Sequence, residues 1–353
     1  MRSRIGAVSV FLVLAAWRCR GEGRICLVTA FSGGTGRPIW SSPIRSRSGS
    51  DGRSGCRPHP AFACATTDVD GDGKPDVFAG TWWPLDRQRI GRLEILSGGS
   101  GCTIAGVDED ALPWRWAGPL VALGDLDGDG ISDVMISIRI PPEDPRTFGR
   151  VGFEIRSGRD LHSLRRFELP DCAEPRCGAV GDVDGDGTPD LLISGYFPVE
   201  HPDQNSVYLN FVRILSGRNG DLLSEFRSGE CGWKSSSIRG VADVDHDGRP
   251  DVLFSEFGMD RRCAGVLLLS GRDLVPMRRW SMDSGAWGEF SYLGFALADA
   301  GDVDRDGTPD FAIGTATPWG DEPGYAEVYS GKTGSLIRRW SRAGPADTNE
   351  KGR

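Results

Sequence analysis

The 353-residue sequence predicts an all-β repeat fold built from units of about sixty residues. A nine-residue Asp-rich stretch occurs five times, and its first Asp falls at positions 68, 125, 182, 243 and 302. The period is therefore 57 to 61 residues. A Ser-Gly pair that follows a short apolar segment recurs in the same frame. A fixed period of this kind is typical of repeat proteins in which each unit packs against its neighbours.

Every Asp-rich stretch, of which Asp182–Asp190 is an example, has Asp at positions 1, 3, 5 and 9 and Gly at position 6. Calcium prefers six to eight oxygen ligands, and the glycine permits the sharp turn that brings carboxylates together. The carbonyl of position 7, here Thr188, would add another oxygen. An all-oxygen set disfavours zinc and copper, and magnesium prefers to keep its waters. The sequence therefore predicts up to five Ca²⁺ sites, with ion-free Asp/Gly turns as the alternative.

The predicted calcium ligands are the four aspartates of each copy, namely Asp68, Asp70, Asp72, Asp76, Asp125, Asp127, Asp129, Asp133, Asp182, Asp184, Asp186, Asp190, Asp243, Asp245, Asp247, Asp251, Asp302, Asp304, Asp306 and Asp310. An EF-hand would require a Glu at position 12 and flanking helices. Position 12 is instead held by the strand-like residues Ala79, Ile136, Ile193, Phe254 and Ile313. The sequence therefore excludes the EF-hand class.

Each Asp-rich stretch lies between two short apolar segments, such as Leu120–Leu123 and Val134–Ile138, and each Ser-Gly pair lies in a further hairpin. One unit is thus strand, Asp-rich loop, strand, variable loop, strand, Ser-Gly turn, strand. No window has a helical period with caps. Four antiparallel strands per repeated unit predict a β-propeller of four-stranded blades. Five units are complete, and residues 24–41 supply the last hairpin of another, so five blades plus a hairpin and six blades with one incomplete are both open.

The segments around the fifth copy carry a family resemblance. Leu293–Ala296 reads Leu-Gly-Phe-Ala before the loop, and Gly314–Pro318 reads Gly-Thr-Ala-Thr-Pro after it. Residues 24–341 resemble the FG-GAP repeats, also known as VCBS-like repeats, which form the propellers of integrin α-subunits and of bacterial extracellular proteins. The other copies depart from the flanking marks, with Ser137 and Ser255 near the expected second glycine. The resemblance implies calcium at the four aspartates of each loop, on one face of a propeller.

The N-terminus predicts export. Arg2 and Arg4 precede the apolar run Ile5–Ala16, so residues 1–19 are interpreted as a signal peptide of a secreted, extracellular, periplasmic or cell-surface protein. The run is too short to span a bilayer as a helix. The alternative is that Leu12–Trp17 is a strand of a degenerate first repeat. Residues 342–353 are expected to form a C-terminal tail.

The nine cysteines contain no Cys-x-x-Cys pair, which disfavours a zinc or thioredoxin-like site. In an exported chain, some of them are expected to form disulfides. Cys172 with Cys177 and Cys56 with Cys64 are close enough in sequence to pair across short loops. The connectivity stays open, because spacing alone does not determine it.

Composition limits the classes of function. The formal charge of −9 is concentrated in the Asp-rich loops, and five calcium ions would bring it to about +1. No basic stripe predicts nucleic-acid binding, and no apolar run predicts a membrane span. The sequence has no Ser or Cys nucleophile motif, so we expect a protein that is not an enzyme. We expect it to be a monomer that acts as an adhesion or interaction module. The alternatives are a lectin-like propeller, or a calcium-dependent polysaccharide lyase or hydrolase that uses loop carboxylates such as Glu143 and Asp144.

Aromatic residues in the variable loops predict where a protein or glycan would bind. These loops belong to the face opposite the Asp-rich loops, and exposed aromatic rings stack on sugars or anchor protein partners. The alternative is that most of these rings wedge between blades. The candidate ligand-binding residues are Trp82, Trp83, Trp114, Trp116, Tyr196, Trp233, Trp287 and Trp319.

Overall fold

The computed structural model describes residues 12–20, 23–31, 38–44, 62–85, 88–109, 120–140, 150–169, 173–199, 207–231, 235–256, 265–281, 292–316, 325–341 and 344–345. All the regular structure in these ranges is β-strand. No helix within these ranges is long and apolar enough to cross a membrane. The chain divides into two compact units, Met1–Pro170 and Asp171–Arg353.

The first unit contains three antiparallel sheets. The N-terminal sheet has the order β1 (Leu12–Arg20), β2 (Gly23–Phe31) and β3 (Pro38–Ile44). Blade 1 has the order β4 (Phe62–Ala65), β5 (Val77–Leu85), β6 (Gln88–Leu96) and β7 (Thr103–Glu109). Blade 2 consists of β8 (Val121–Ala122), β9 (Val134–Ile140), β10 (Arg150–Arg156) and β11 (Ser163–Leu169).

The second unit contains three further sheets of the same plan. Blade 3 consists of β12 (Ala173–Gly181), β13 (Asp190–Val199), β14 (Val207–Leu215) and β15 (Leu222–Cys231). Blade 4 consists of β16 (Ser235–Val241), β17 (Asp251–Glu256), β18 (Gly265–Leu269) and β19 (Pro276–Trp280). Blade 5 consists of β20 (Tyr292–Gly301), β21 (Asp310–Ala316), β22 (Tyr325–Tyr329), β23 (Leu336–Ser341) and the short β24 (Gly344–Pro345).

Each blade is an antiparallel meander in which consecutive strands pair. In every blade the Asp-rich loop joins the first and second strands, and the Ser-Gly turn joins the third and fourth. The predicted unit of four strands is therefore confirmed five times, and the fold class is the all-β propeller class. In blade 2 the predicted strand Leu120–Leu123 is reduced to the two residues of β8, which pair with Met135 and Val134.

The N-terminal sheet has one strand more than the hairpin predicted for residues 24–41. Strand β1 pairs with β2 along its whole length, from Leu12 opposite Phe31 to Arg20 opposite Gly23. This agrees with the alternative interpretation of Leu12–Trp17 as a strand of a further repeat. The signal peptide over residues 1–19 stays a prediction.

Two other predictions concern the C-terminal tail and the disulfides. Within the predicted C-terminal tail, Gly344 and Pro345 pair with Ser341 and Trp340. Cys56 and Cys172 lie outside the described residues, so the two predicted disulfides stay predictions.

Neighbouring blades within each unit share apolar cores. In the first unit, Phe78 and Ile95 of blade 1 pack with Val134 and Ile136 of blade 2. In the second unit, one cluster joins blades 3 and 4 and another joins blades 4 and 5. These side chains come from short apolar strands whose residues are buried on both faces of the sheet. Burial on both faces is what a blade between two blades requires.

A tryptophan on the outer strand of one sheet docks onto the Ser-Gly turn of the next. The indole Nε1 of Trp40 in β3 donates a hydrogen bond of 2.9 Å to the carbonyl of Gly98 in blade 1. In the second unit, Nε1 of Trp280 in β19 donates one of 3.0 Å to the carbonyl of Gly334 in blade 5. Trp340, at the corresponding place in β23, is 39% exposed.

We expect Trp280→Phe to lower the free energy of unfolding by about 1–2 kcal/mol. The substitution removes the bond to Gly334 and leaves part of the ring volume empty in a buried interface. Trp340→Phe is the matched control and should change stability by less than about 0.5 kcal/mol, since this ring is well exposed. Chemical denaturation of both variants measures the difference. Equal effects would contradict the docking role of Trp280.

Candidate metal sites

The five Asp-rich loops have the same backbone course. Glycine at position 6 has a positive φ in each of them, between 83° at Gly73 and 90° at Gly307, which confirms the predicted need for glycine. Position 4 is also left-handed. It is Gly in three loops but His246, with φ 62°, and Arg305, with φ 64°, in the other two. A side chain in this conformation is strained, so the surrounding loop must enforce the turn.

Carboxylates organise the loop from inside, as the third loop illustrates. Oδ2 of Asp182 accepts a hydrogen bond of 2.8 Å from the Gly187 amide, and Oδ1 accepts one of 3.1 Å from the Asp186 amide. Asp184 Oδ1 accepts from the same Asp186 amide, and Asp186 Oδ1 accepts from Thr188 at 2.8 Å. Each of these four bonds recurs in the other four loops. The side chains of positions 1, 3 and 5 are thereby held on the inner side of the turn.

The loops bring three carboxylates together in each repeat, with one oxygen of each within 4.8 Å of the other two. In four loops these are positions 1, 3 and 9, and in the fifth loop they are positions 1, 3 and 5. The groups are Asp68, Asp70 and Asp76; Asp125, Asp127 and Asp133; Asp182, Asp184 and Asp190; Asp243, Asp245 and Asp251; and Asp302, Asp304 and Asp306. Donor sets made of oxygen alone fit a hard divalent cation.

The aspartate at position 9 has a second role that its place in the sequence does not reveal. Its side chain is fully buried in all five loops. In blade 4, Oδ2 of Asp251 accepts a hydrogen bond of 2.8 Å from the amide of Val244, at position 2 of the loop. Oδ1 accepts one of 2.9 Å from the amide of Gly271, in the Ser-Gly turn. The same two bonds recur in the other four blades. Position 9 therefore ties the Asp-rich loop to the Ser-Gly turn.

The glycine of the Ser-Gly pair is explained by the same contact. A Cβ at Gly271 would lie 1.7 Å from the carbonyl oxygen of Pro250, at position 8 of the loop. The corresponding distances are 1.8 Å at Gly98, 2.0 Å at Gly158 and 1.9 Å at Gly331. Only glycine lets the turn approach the loop closely enough to donate its amide to the aspartate. The two recurring motifs are thus halves of one structure.

Burial sets the electrostatics of position 9. It raises the pKa of Asp76, Asp133 and Asp190, and it raises the pKa of Asp251 to about 6, against the backbone hydrogen bonds that lower it. In contrast, hydrogen bonds from the Gly130 amide and its neighbours lower the pKa of the exposed Asp125. A divalent cation at the loop would favour the ionised form of the buried carboxylate, since metal binding displaces protons from ligands.

Metal-free protein should lose stability relative to Asp251→Asn as pH rises from 4 to 7. Because the folded pKa of Asp251 is raised to about 6 from the usual 3.8, the folded state binds more protons than the unfolded state between these values. This stabilising contribution is complete below pH 3.8 and is lost as pH rises through 6. Melting temperatures in chelator across this range measure the effect. Parallel curves for the two proteins would contradict it.

The candidate ligand-binding aromatics are described only in part. Tyr196 lies in β13 and is 6% exposed, so its ring is buried. Trp82 and Trp83 lie in β5 opposite Gly91 and Ile90 of β6. The remaining candidates lie outside the described residues, namely Trp114, Trp116, Trp233, Trp287 and Trp319. A binding face built from these residues stays a prediction.

Comparison with known proteins agrees with this architecture. A family model described as an FG-GAP-like repeat matches residues 182–254, which run from the third Asp-rich loop into β17 of blade 4. Integrin alpha-V of Gallus gallus is 28% identical over 213 residues, which cover 56% of this chain and 20% of that protein. Integrin alpha-5 and integrin alpha-4 of Xenopus laevis are 27% and 30% identical, over 55% and 45% of this chain. The chain spans about a fifth of the length of these relatives.

Two solved structures resemble the chain at low sequence identity. An apocarotenoid oxygenase of Synechocystis superposes with a TM-score of 0.50 at 8% identity, over 90% of this chain and 69% of that chain. The rhamnogalacturonan lyase YesW has a TM-score of 0.48 at 14% identity, over 90% and 59% of the two chains. At 8% identity the likeness to the oxygenase concerns the fold alone. The blades place the chain in the β-propeller fold class, and its sequence is similar to FG-GAP-like repeats over residues 182–254 and to integrin α-subunits over about half of its length.

Proposed function

We propose that this protein is a secreted β-propeller whose Asp-rich loops each bind a calcium ion, and that it acts as an adhesion or ligand-interaction module. The observation that carries the calcium assignment is the recurrence of one loop structure five times, each with three carboxylates within 4.8 Å. The similarity to integrin α-subunits supports the interaction role. The proposal assigns no catalytic residue.

The calcium ion would act on the structure of the blade. Positions 1, 3, 5 and 9 would hold it, and calcium supplies a positive charge that offsets the repulsion among carboxylates on one short turn. Since position 9 also binds the Ser-Gly turn, an ion at the loop would brace the loop between the first and second strands against the turn between the third and fourth. A structural role for the ions leaves the ligand to be bound elsewhere.

The ligand is expected at the other end of the blades. Because the strands are antiparallel, the connection between the second and third strands lies at the end opposite the Asp-rich loop and the Ser-Gly turn. Trp82 and Trp83 lie near that end of β5, the second strand of blade 1. We propose that a protein or glycan binds there, with tryptophan rings as anchors.

Equilibrium dialysis against radioactive calcium tests the metal assignment. The chain should bind up to five ions, and Asp182→Asn should remove or weaken one of them without changing the fold. Extracellular calcium modules bind with dissociation constants of roughly 10⁻⁴–10⁻³ M, so the titration must reach millimolar calcium. Absence of saturable binding in that range would refute the calcium assignment.

A solid-phase screen against extracellular matrix proteins and glycans tests the interaction role. The protein, loaded with calcium, should bind a defined member of the panel, and Trp82→Ala with Trp83→Ala should weaken that binding. Trp340→Ala is the control, since this exposed ring lies on the outer strand of blade 5. Binding that is insensitive to the blade 1 pair, or lost equally with the control, would place the ligand elsewhere.

A further inference from the structure

We infer that Arg159 and Arg218, which follow the Ser-Gly pairs of blades 2 and 3, are positioning residues that raise the calcium affinity of the second and third loops. The inference rests on the proposed calcium function and extends it to residues outside the Asp-rich motif. It predicts that the five sites are not equivalent, although their nine-residue motifs are.

The two guanidinium groups clasp the aspartate at position 5 in the same way. Nε of Arg159 lies 2.7 Å from Oδ2 of Asp129, and Nη2 donates a hydrogen bond of 2.9 Å to the Asp129 carbonyl. Nε of Arg218 lies 3.1 Å from Oδ2 of Asp186, and Nη2 donates one of 2.6 Å to the Asp186 carbonyl. Each arginine therefore bridges the side chain and the backbone of a predicted ligand at position 5, next to the group of three carboxylates at positions 1, 3 and 9.

The two bonds from each arginine hold the carboxylate at position 5 in one orientation. Oδ2 of Asp186 is turned outward to Arg218, while Oδ1 accepts the Thr188 amide on the inner side of the loop. Asp129 is held in the same way, with Oδ1 accepting from Ile131 at 2.8 Å. A ligand whose outer oxygen is fixed by a hydrogen-bonded partner loses less freedom when the ion binds. Partners of this kind are typically worth 10- to 100-fold in metal affinity.

The other three loops provide natural comparisons. Blade 1 has Gly99 at the corresponding place, so this position supplies no side chain that could clasp Asp72. In blade 5, Lys332 donates to the carbonyl of Asp306 at 3.2 Å, and its contacts with described residues include none with the Asp306 carboxylate. In blade 4, Arg272 is exposed, and the described contacts include no bond between it and Asp247. The two-point clasp is thus a feature of blades 2 and 3 among the described residues.

A positive group beside a cation site also repels the ion, so each arginine has two opposing effects on calcium affinity. The side chains of Arg159 and Arg218 are 58% and 62% exposed, and solvent screens their repulsion strongly. The orienting bonds join atoms 2.6 to 3.1 Å apart, and solvent screens contacts at this distance less than charges that lie farther apart. We therefore expect orientation to outweigh repulsion.

Isothermal titration calorimetry of the full chain with calcium tests the inference. In the double variant Arg159→Gln with Arg218→Gln, two sites should weaken by about tenfold or more, while the other sites keep the wild-type affinity. Arg272→Gln is the matched control and should titrate like wild type. Arg218→Lys should recover only part of the affinity, because an ammonium cannot form the two-point clasp. Melting temperatures in chelator should be similar for all these proteins.

The outcomes separate the inference from the calcium assignment. Wild type that binds calcium, with a double variant that matches it or binds more tightly, would overturn the inference alone. Weakening of all sites to the same degree, or equal weakening in the Arg272→Gln control, would also overturn it. Wild type that binds no calcium would overturn both the inference and the proposed function.

Discussion

Replacing Asp251 with Ala should lower the free energy of unfolding by about 3–4 kcal/mol, even in the presence of chelator. The carboxylate is fully buried and accepts hydrogen bonds from the amides of Val244 and Gly271. Alanine would leave both buried amides without a hydrogen-bond acceptor, and each buried donor without a partner costs about 1–3 kcal/mol of stability. Denaturant unfolding in excess chelator measures this loss without any contribution from a bound ion.

Asp245→Ala is the matched control in the same loop. Asp245 is also a candidate calcium ligand, but it is exposed and accepts only the exposed Asp247 amide, at 3.1 Å. In chelator it should cost less than about 1 kcal/mol. In calcium both variants should lose the stabilisation from the fourth loop. Equal costs for the two variants in chelator would mean that position 9 does not tie the loop to the Ser-Gly turn.

Gly271→Ala should destabilise the protein by roughly 3–4 kcal/mol, although the change adds a single methyl group. That methyl would lie 1.7 Å from the carbonyl oxygen of Pro250 and 2.9 Å from its carbon. The Ser-Gly turn must therefore move away from the loop, and its amide would lose the bond to Asp251. Thermal and denaturant unfolding both report the effect.

Gly248→Ala separates crowding from backbone preference in the same blade. Gly248 has a φ of +89° and nothing within 4 Å of its added Cβ. Only the cost of a left-handed alanine applies there, about 1–2 kcal/mol. If Gly271→Ala were no more harmful than Gly248→Ala, the close approach of the turn to the loop would not constrain the sequence.

The sequence was sufficient to predict the repeat and the four strands of each of the five blades. Segments such as Val134–Ile138 and Val252–Phe254 are apolar because both faces of a blade are buried, and burial leaves a strong signal. Glycine at position 6 was predicted for the same kind of local reason, since the turn needs a positive φ. Local chemistry of this sort can be read from a single copy of the motif.

Contacts between motifs could not be predicted in this way. Asp251 and Gly271 lie on different strands, and the number of residues between the two partners varies from blade to blade, so spacing carried no signal. The left-handed conformations of His246 and Arg305 were not predicted either, because a positive φ is uncommon for residues other than glycine. One signal of these contacts is present in the sequence, namely the basic residue that follows the Ser-Gly pair at Arg159 and Arg218. The role of this residue becomes apparent only in the folded blade, where the Asp-rich loop lies beside it.

Thermal melting of the purified chain with calcium and with chelator tests the central claim, that the Asp-rich loops bind structural calcium. At a tenfold excess over its dissociation constant, an ion stabilises a site by about 1.4 kcal/mol, so five sites would contribute about 7 kcal/mol. We expect chelation to lower the melting temperature by more than about 10 °C, and calcium, but not magnesium, to restore it. An unchanged melting temperature would contradict the claim, because the loops would then hold their shape through hydrogen bonds alone.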